Sequence, residues 1–229
     1  MLVFGGKSSP ARITYALPDP AVFNKFYNRD ILFKDVDWTD WNAVIDGFQK
    51  RYELWYFDHL VGGDASYVDF SSLCALVEVF THYSVEKNWH DESQYKEFLR
   101  RAASIFRRKL SQPITITRFS RGRWITGQLK DYADVFYAGV RCSLHHHGDL
   151  AAYAGMSGTG QVAIEKPNAG SSQCGRYKYP LVIFDPGKIR EVLQDWLKKY
   201  CAELKANPAS PSAMDFRKKF LNDFGMSVS

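Results

Sequence analysis

Phe136-Tyr-Ala-Gly-Val-Arg-Cys-Ser-Leu-His-His-His-Gly148 is the stretch on which the reading of this chain turns. Together with the residues before it, it places Leu129, Ala133, Phe136, Val140 and Leu144 at three- and four-residue steps. That spacing predicts an amphipathic helix from about Gln128 to His147. Gly148 stands where a helix-terminating glycine belongs. Arg141 and three consecutive histidines therefore crowd one helical end. At about 100° per residue, Arg141 and His145 share a face of a regular helix. His146 lies about 140° round from Arg141, over Cys142 and Gly139. Imidazoles in a last turn face the negative end of the helix dipole. Imidazole chemistry near neutrality serves both to take and to give a proton, and a guanidinium clamps phosphate. The set suits phosphodiester cleavage.

Working outward, helical periodicity begins near Thr39. Trp41, Val44, Ile45, Phe48, Tyr52, Trp55 and Tyr56 form one broad stripe, with Asp37 or Thr39 as cap and Gly62-Gly63 as stop. A second helix, from Ser66 or Tyr67 to Val85, is apolar nearly all round. Its one small or polar stripe is Ser71, Cys74, Ala75, Glu78 and His82, and the Glu78 carboxylate needs a partner, Arg141 or His82. A third helix is expected from about Asp91 to Leu110, ended by Pro113. A basic connector follows, in which Arg118, Arg121, Arg123 and Lys130 interleave with Phe119 and Trp124. Beyond Gly148, Val162 to Ile164 and Leu181 to Phe184 read as a small hairpin. Pro186 then opens a helix, and 207–212 is a linker before a short helix at about 213–224. The expected architecture is mainly α, a helical bundle of five to six helices with a small β-hairpin insertion. The expected organisation is an extended arm over 1–38, a helical domain over 39–206, and a linker with a short helix over 207–229.

Composition bounds the class. At 229 residues, 45% hydrophobic and 24% charged, the chain can bury a core and is neither disordered nor a disulfide scaffold. No apolar run approaches a membrane span, and the first residues lack a secretory pattern. Cys74, Cys142, Cys174 and Cys201 are scattered without a C-x-x-C pair, which points to a reducing, cytoplasmic setting with no zinc ribbon. The formal charge of +5 permits an anionic partner without demanding one.

The run from Phe136 to His147 resembles the signature helix of the HEPN family, in which an arginine is followed by four to six residues and a histidine. Arg141 with His146 gives four intervening residues and His147 gives five, while His145 falls one short. Cys142 stands where family members often carry a polar residue. The apolar Leu73-Cys-Ala-Leu-Val-Glu-Val-Phe80 resembles the first core helix of such domains, and Ile183-Phe-Asp-Pro-Gly-Lys188 leads into a further helix in the same way. The resemblance covers about residues 40–205. It implies a metal-independent, cofactor-free endoribonuclease acting on RNA as a homodimer, with Arg141 and a histidine meeting across two chains. It also implies an antitoxin or regulatory protein as partner, in a toxin–antitoxin or phage-defence setting.

Other readings of the same residues stand beside this one. Histidines at a helix end serve stability through dipole and carbonyl contacts. A metal site is disfavoured because His145 and His147 sit too close on one helix to chelate together, and Asp149 or His90 would join only through the fold. The basic connector is an RNA track, its cations on the backbone and its aromatics under the bases, or merely a solvated surface. A non-catalytic dimer binding RNA, a nucleotide or a protein is the alternative function.

Overall fold

The computed structural model describes residues 40–58, 67–85, 91–120, 123–171 and 178–223. Asp37, Thr39, Gly62-Gly63, His90, Arg121 and Cys174, all named above, lie outside those residues. Among the described residues the fold is mixed α/β, with six helices and five strands in two sheets. The expectation of a mainly α bundle with one small hairpin is therefore corrected.

The helices and strands follow in chain order. Helix α1, Trp41–Tyr52, is capped by the Asp40 side chain and runs on through a π-helical turn at Glu53–Phe57. Helix α2 is Tyr67–Ser84. Helix α3, Glu92–Ala102, starts on a reciprocal cap in which Asp91 and Gln94 satisfy each other's backbone amides. It stops at Ala103, which is extended, well before the predicted Leu110. After a 3-10 turn at Ser104–Arg107 come strands β1, Lys109–Ser120, and β2, Arg123–Asp131. Helix α4 is continuous through Tyr132–Val135, Phe136–Cys142 and Ser143–His147, with a π-helical middle. Strands β3, Ala154–Met156, β4, Ala163–Ser171, and β5, Lys178–Phe184, precede α5, Pro186–Ala206, and α6, Pro211–Asp223.

The largest departure from expectation is the basic connector, which is an antiparallel ribbon. Its register pairs Ile114 with Leu129, Thr117 with Thr126, and Phe119 with Trp124, with an irregularity between Lys109 and Ile114. Ile114-Thr-Ile-Thr117 and Trp124-Ile-Thr126 are β-branched and aromatic, the residue types that favour a pleated strand. Pro113 lies inside β1 at that irregularity and ends no helix. For the same reason α4 begins at Tyr132 and not near Gln128. Asp131 closes β2 and caps the helix, accepting from the Asp134 amide at 3.0 Å. In the second sheet β5 is central, with β4 antiparallel on one side and β3 parallel on the other.

The chain divides into two compact units, each built from separated segments. Described residues 40–58, 83–85 and 196–223 form one of them. Phe48 is its centre, with ring centroids 4.9 Å from both Tyr83 and Phe216, and Val44, Ile45, Leu197, Leu204 and Phe220 complete the core. Tyr83 donates to Asp223 at 2.7 Å and Lys205 pairs with Asp46. The other unit holds described residues 67–82, 91–120, 123–171 and 178–195. Its core is organised on Phe136, whose ring lies 5.7 Å from Phe70, 5.7 Å from Phe106 and 5.2 Å from Phe184. Helix α2, the 3-10 turn and strand β5 are thereby held to α4, the helix that carries the arginine and the histidines. No helix among the described residues is long and apolar enough to cross a membrane.

Candidate functional site

Two helices place the candidate site. On α2, Phe70, Leu73, Leu76, Val77 and Phe80 are buried, which turns Ser71, Ala75 and Glu78 toward the surface; Cys74, read from sequence as part of that small stripe, is buried instead. On α4, Phe136 and Val140 are buried, and Arg141 and Cys142 are half-buried. Glu78 Oε1 accepts from Arg141 Nε at 2.6 Å and pairs with its NH2 at 2.5 Å, with the two side chains 34% and 22% exposed. The carboxylate on α2 thus has Arg141 as partner, one of the two expected.

The electrostatics follow from that pair. Partial burial alone lowers the pKa of Arg141, but the charge of Glu78 and the hydrogen bond to it outweigh burial and raise it further. The guanidinium stays cationic across the whole working range of pH. Its carbon lies 5.7 Å from the Tyr137 ring centroid, so the cation also rests on an aromatic face. Burial pushes the Cys74 thiol up to about 12. That group is a neutral thiol near pH 7 and no nucleophile.

The α4 backbone around Arg141 is π-helical from Phe136 to Cys142. The 100° arithmetic of a regular helix therefore holds only from Ser143 onward, and the predicted shared face of Arg141 and His145 does not carry over as stated. Gly139 sits in the widened turn. Its carbonyl accepts from the Ala151 amide at 2.9 Å, and a Cβ there would stand 2.6 Å from Tyr153 Cε2 and 2.9 Å from Ala154 Cβ. The glycine is thus a point of close approach by the chain entering β3. Rare π turns of this kind occur frequently at functional sites.

His145, His146 and His147 are all exposed, in the last turn of α4. The imidazole of His146 lies between the other two, with centroids 5.0 Å from His145 and 6.4 Å from His147. Gly148 follows with φ 70°, the left-handed stop the sequence predicts. Asp149 accepts from the Tyr67 hydroxyl at 2.9 Å, which ties the start of α2 to the chain just past the histidines. Among the described residues no three His, Cys, Asp or Glu side chains converge as metal donors.

Of the proposed RNA-contacting residues, Trp124 and Lys130 are exposed on β2. Arg118 pairs with Ile125 and Arg123 with Ser120 in the ribbon register, and Arg121 lies outside the described residues. Those described are on the ribbon, whereas Arg141 and the histidines lie 10 to 16 positions beyond Asp131, toward the other end of α4. Sequence reasoning missed the group that fixes the start of α4. Arg100 Nε donates to Asp131 at 3.0 Å, and Lys96 pairs with Asp134 at 2.9 Å. Asp131-x-x-Asp134 is a helix-start pattern, and it was the available signal.

No family model matches the chain, and neither a curated protein nor a solved structure matches it.

Proposed function

We propose that this chain is a metal-independent endoribonuclease acting as a homodimer, with Arg141 and His146 as its principal groups and His145 and His147 beside them. The observation that carries the reading is one helix end bearing a guanidinium fixed by Glu78 and three solvent-facing imidazoles. In the reaction the ribose 2′-oxygen attacks phosphorus as a histidine of one chain takes its proton. The bond to the 5′-oxygen breaks, and that oxygen leaves with a proton from a second imidazole. Arg141 offsets the charge that builds on the phosphoryl oxygens. The products are a 2′,3′-cyclic phosphate and a 5′-hydroxyl, with no net consumption of water or metal in this step. The resemblance of 136–147 to the HEPN signature supports the same chemistry, and a role in toxin–antitoxin or phage-defence systems follows from that resemblance alone.

The test is incubation of single-stranded RNA with the protein in EDTA, followed by end-group analysis. Cyclic-phosphate ends are expected, and His146→Ala should lower the rate by about 10²- to 10⁴-fold, the usual contribution of a positioned acid or base. Arg141→Ala should abolish turnover. Full activity in both variants would overturn the assignment.

One observation favours a second reading, a non-catalytic dimer that binds RNA, a nucleotide or a protein. Glu78 occupies two nitrogens of Arg141, as in an ion pair that serves the fold. Binding of RNA without any cleaved product would select that reading.

A further inference from the structure

The groups that hold Arg141 differ in kind. Its Nε donates to Glu78 on α2, its Nη2 pairs with the same carboxylate, and its Nη1 donates to Cys142 Sγ at 3.9 Å. Those contacts lie along the edge of the guanidinium, because its N–H bonds point outward in one plane. They do not fix how the cation stands out of that plane. Tyr137, one turn earlier on α4, acts in that direction: the guanidinium carbon stands over its ring, 5.7 Å from the centroid. A cation so placed is drawn to the negative face of the aromatic system.

The ring is itself held. Tyr95 of α3 is buried and packs edge-to-face on Tyr137, with centroids 5.2 Å apart and planes at 65°. Tyr137 is half-buried, and burial pushes its hydroxyl up to about 12. Near pH 7 it is a neutral phenol, so it meets Arg141 as an aromatic face and not as a second anion. Tyr137 and Arg141 share the π-helical turn Phe136–Cys142, and Glu78, Tyr95, Tyr137 and Arg141 belong to one compact unit. One turn of backbone therefore sets both the cation and the ring beneath it, and a buried side chain of another helix anchors that ring.

We infer that Tyr137 is a positioning residue for Arg141: its ring face, backed by Tyr95, fixes where that cation stands when a phosphate arrives. The consequence for cleavage rests on the nuclease reading. The placement of Arg141 does not, and it is measured separately.

The test replaces Tyr137 in the full chain with leucine, with phenylalanine, and with phenylalanines carrying progressively more ring fluorine. Fluorine draws charge from the ring face while nearly keeping its shape, so the fold is preserved as the attraction fades. Placement is read from the Nε–H nuclear magnetic resonance of Arg141, assigned by its absence in Arg141→Lys. Turnover is read as kcat and KM on single-stranded RNA. Tyr137→Phe should keep the parent's resonance and kcat. Tyr137→Leu should shift the resonance and lower kcat roughly 2- to 30-fold, the range for a partly desolvated cation–π contact. KM should change little, as expected when the lost interaction acts on the transition state. Across the fluorinated series, kcat should fall and the resonance should move in step with fluorine content. A resonance indifferent to fluorine would overturn the proposal, even if Tyr137→Leu lowered thermal stability, because the ring would then be packing alone. So would a flat kcat across the series in a protein that cuts RNA. A parent that cuts no RNA while its Arg141 resonance follows the series would reject the nuclease reading and uphold the placement.

Discussion

Arg141 has five N–H donors, and Glu78 takes two of them through one carboxylate oxygen. A third hydrogen bond runs from Arg141 Nη1 to Cys142 Sγ at 3.9 Å, so the guanidinium is held by α2 and by its own helix. Asp134 shows the same principle at the other end of the helix. Partial burial pushes its carboxyl up, but the Lys130 amide, the Lys96 ammonium and the charge of Arg100 together hold it below its usual 3.8. A carboxylate whose folded-state pKa is depressed adds stability above its unfolded value, and that stability is lost as pH falls through the folded value. Asp134→Asn should therefore cost about 1.5–3 kcal/mol near neutrality. In urea titrations the gap between the two proteins should stay constant down to about pH 4 and close below it; a gap unchanged at pH 2.5 would refute the account. The Arg141–His146 spacing and the need of Glu78 for a partner were legible in the sequence because both are local statements of charge and burial. The network of Lys96, Arg100, Asp131 and Asp134 was not, because its members meet only when α3 and the end of β2 are brought together.

At the scale of elements, α4 depends on a residue that is not there. Gly139 lets the chain entering β3 lie against the π-helical turn, where a methyl group would press on Tyr153 and Ala154. Gly139→Ala should lower the unfolding free energy by about 1–3 kcal/mol, as overpacking does. Gly127→Ala, on a strand where a Cβ meets nothing within 4 Å, should stay within about 0.5 kcal/mol of the parent. Equal effects in a denaturant titration would discount the close approach. The helices read most easily in the sequence were α1 and α5, with strong apolar stripes, and α2, apolar nearly all round. The hairpin of β4 and β5 was also foreseen, from two short apolar runs. The β1–β2 ribbon was hidden because its apolar–polar alternation, Ile114-Thr-Ile-Thr117, lasts only four residues before the arginines begin. Its β-branched run and the Arg121-Gly122 pair between the strands were the remaining signals.

At the scale of the molecule, the proposed activity needs two chains. Val68, 73% exposed, Ser71 and Ala75 recur along one side of α2 with the half-buried Glu78 and Val79, a surface of small side chains fit for close helix contact. Sedimentation velocity should show a dimer, and Ala75→Arg, which sets a long cation in that surface, should return it to monomer with cleavage lost. A chain that stays monomeric at high concentration while still cutting RNA would refute the shared site. The ribbon has a further consequence for the protein in solution. Its sheet has two strands only, so each strand keeps one row of amides and carbonyls unpaired within the sheet, beside a β-branched sequence. Such a margin invites cross-molecule zippering, and like charge on neighbouring copies is what opposes it. Stripping the arginines from the ribbon would thus remove its guard against fibre formation.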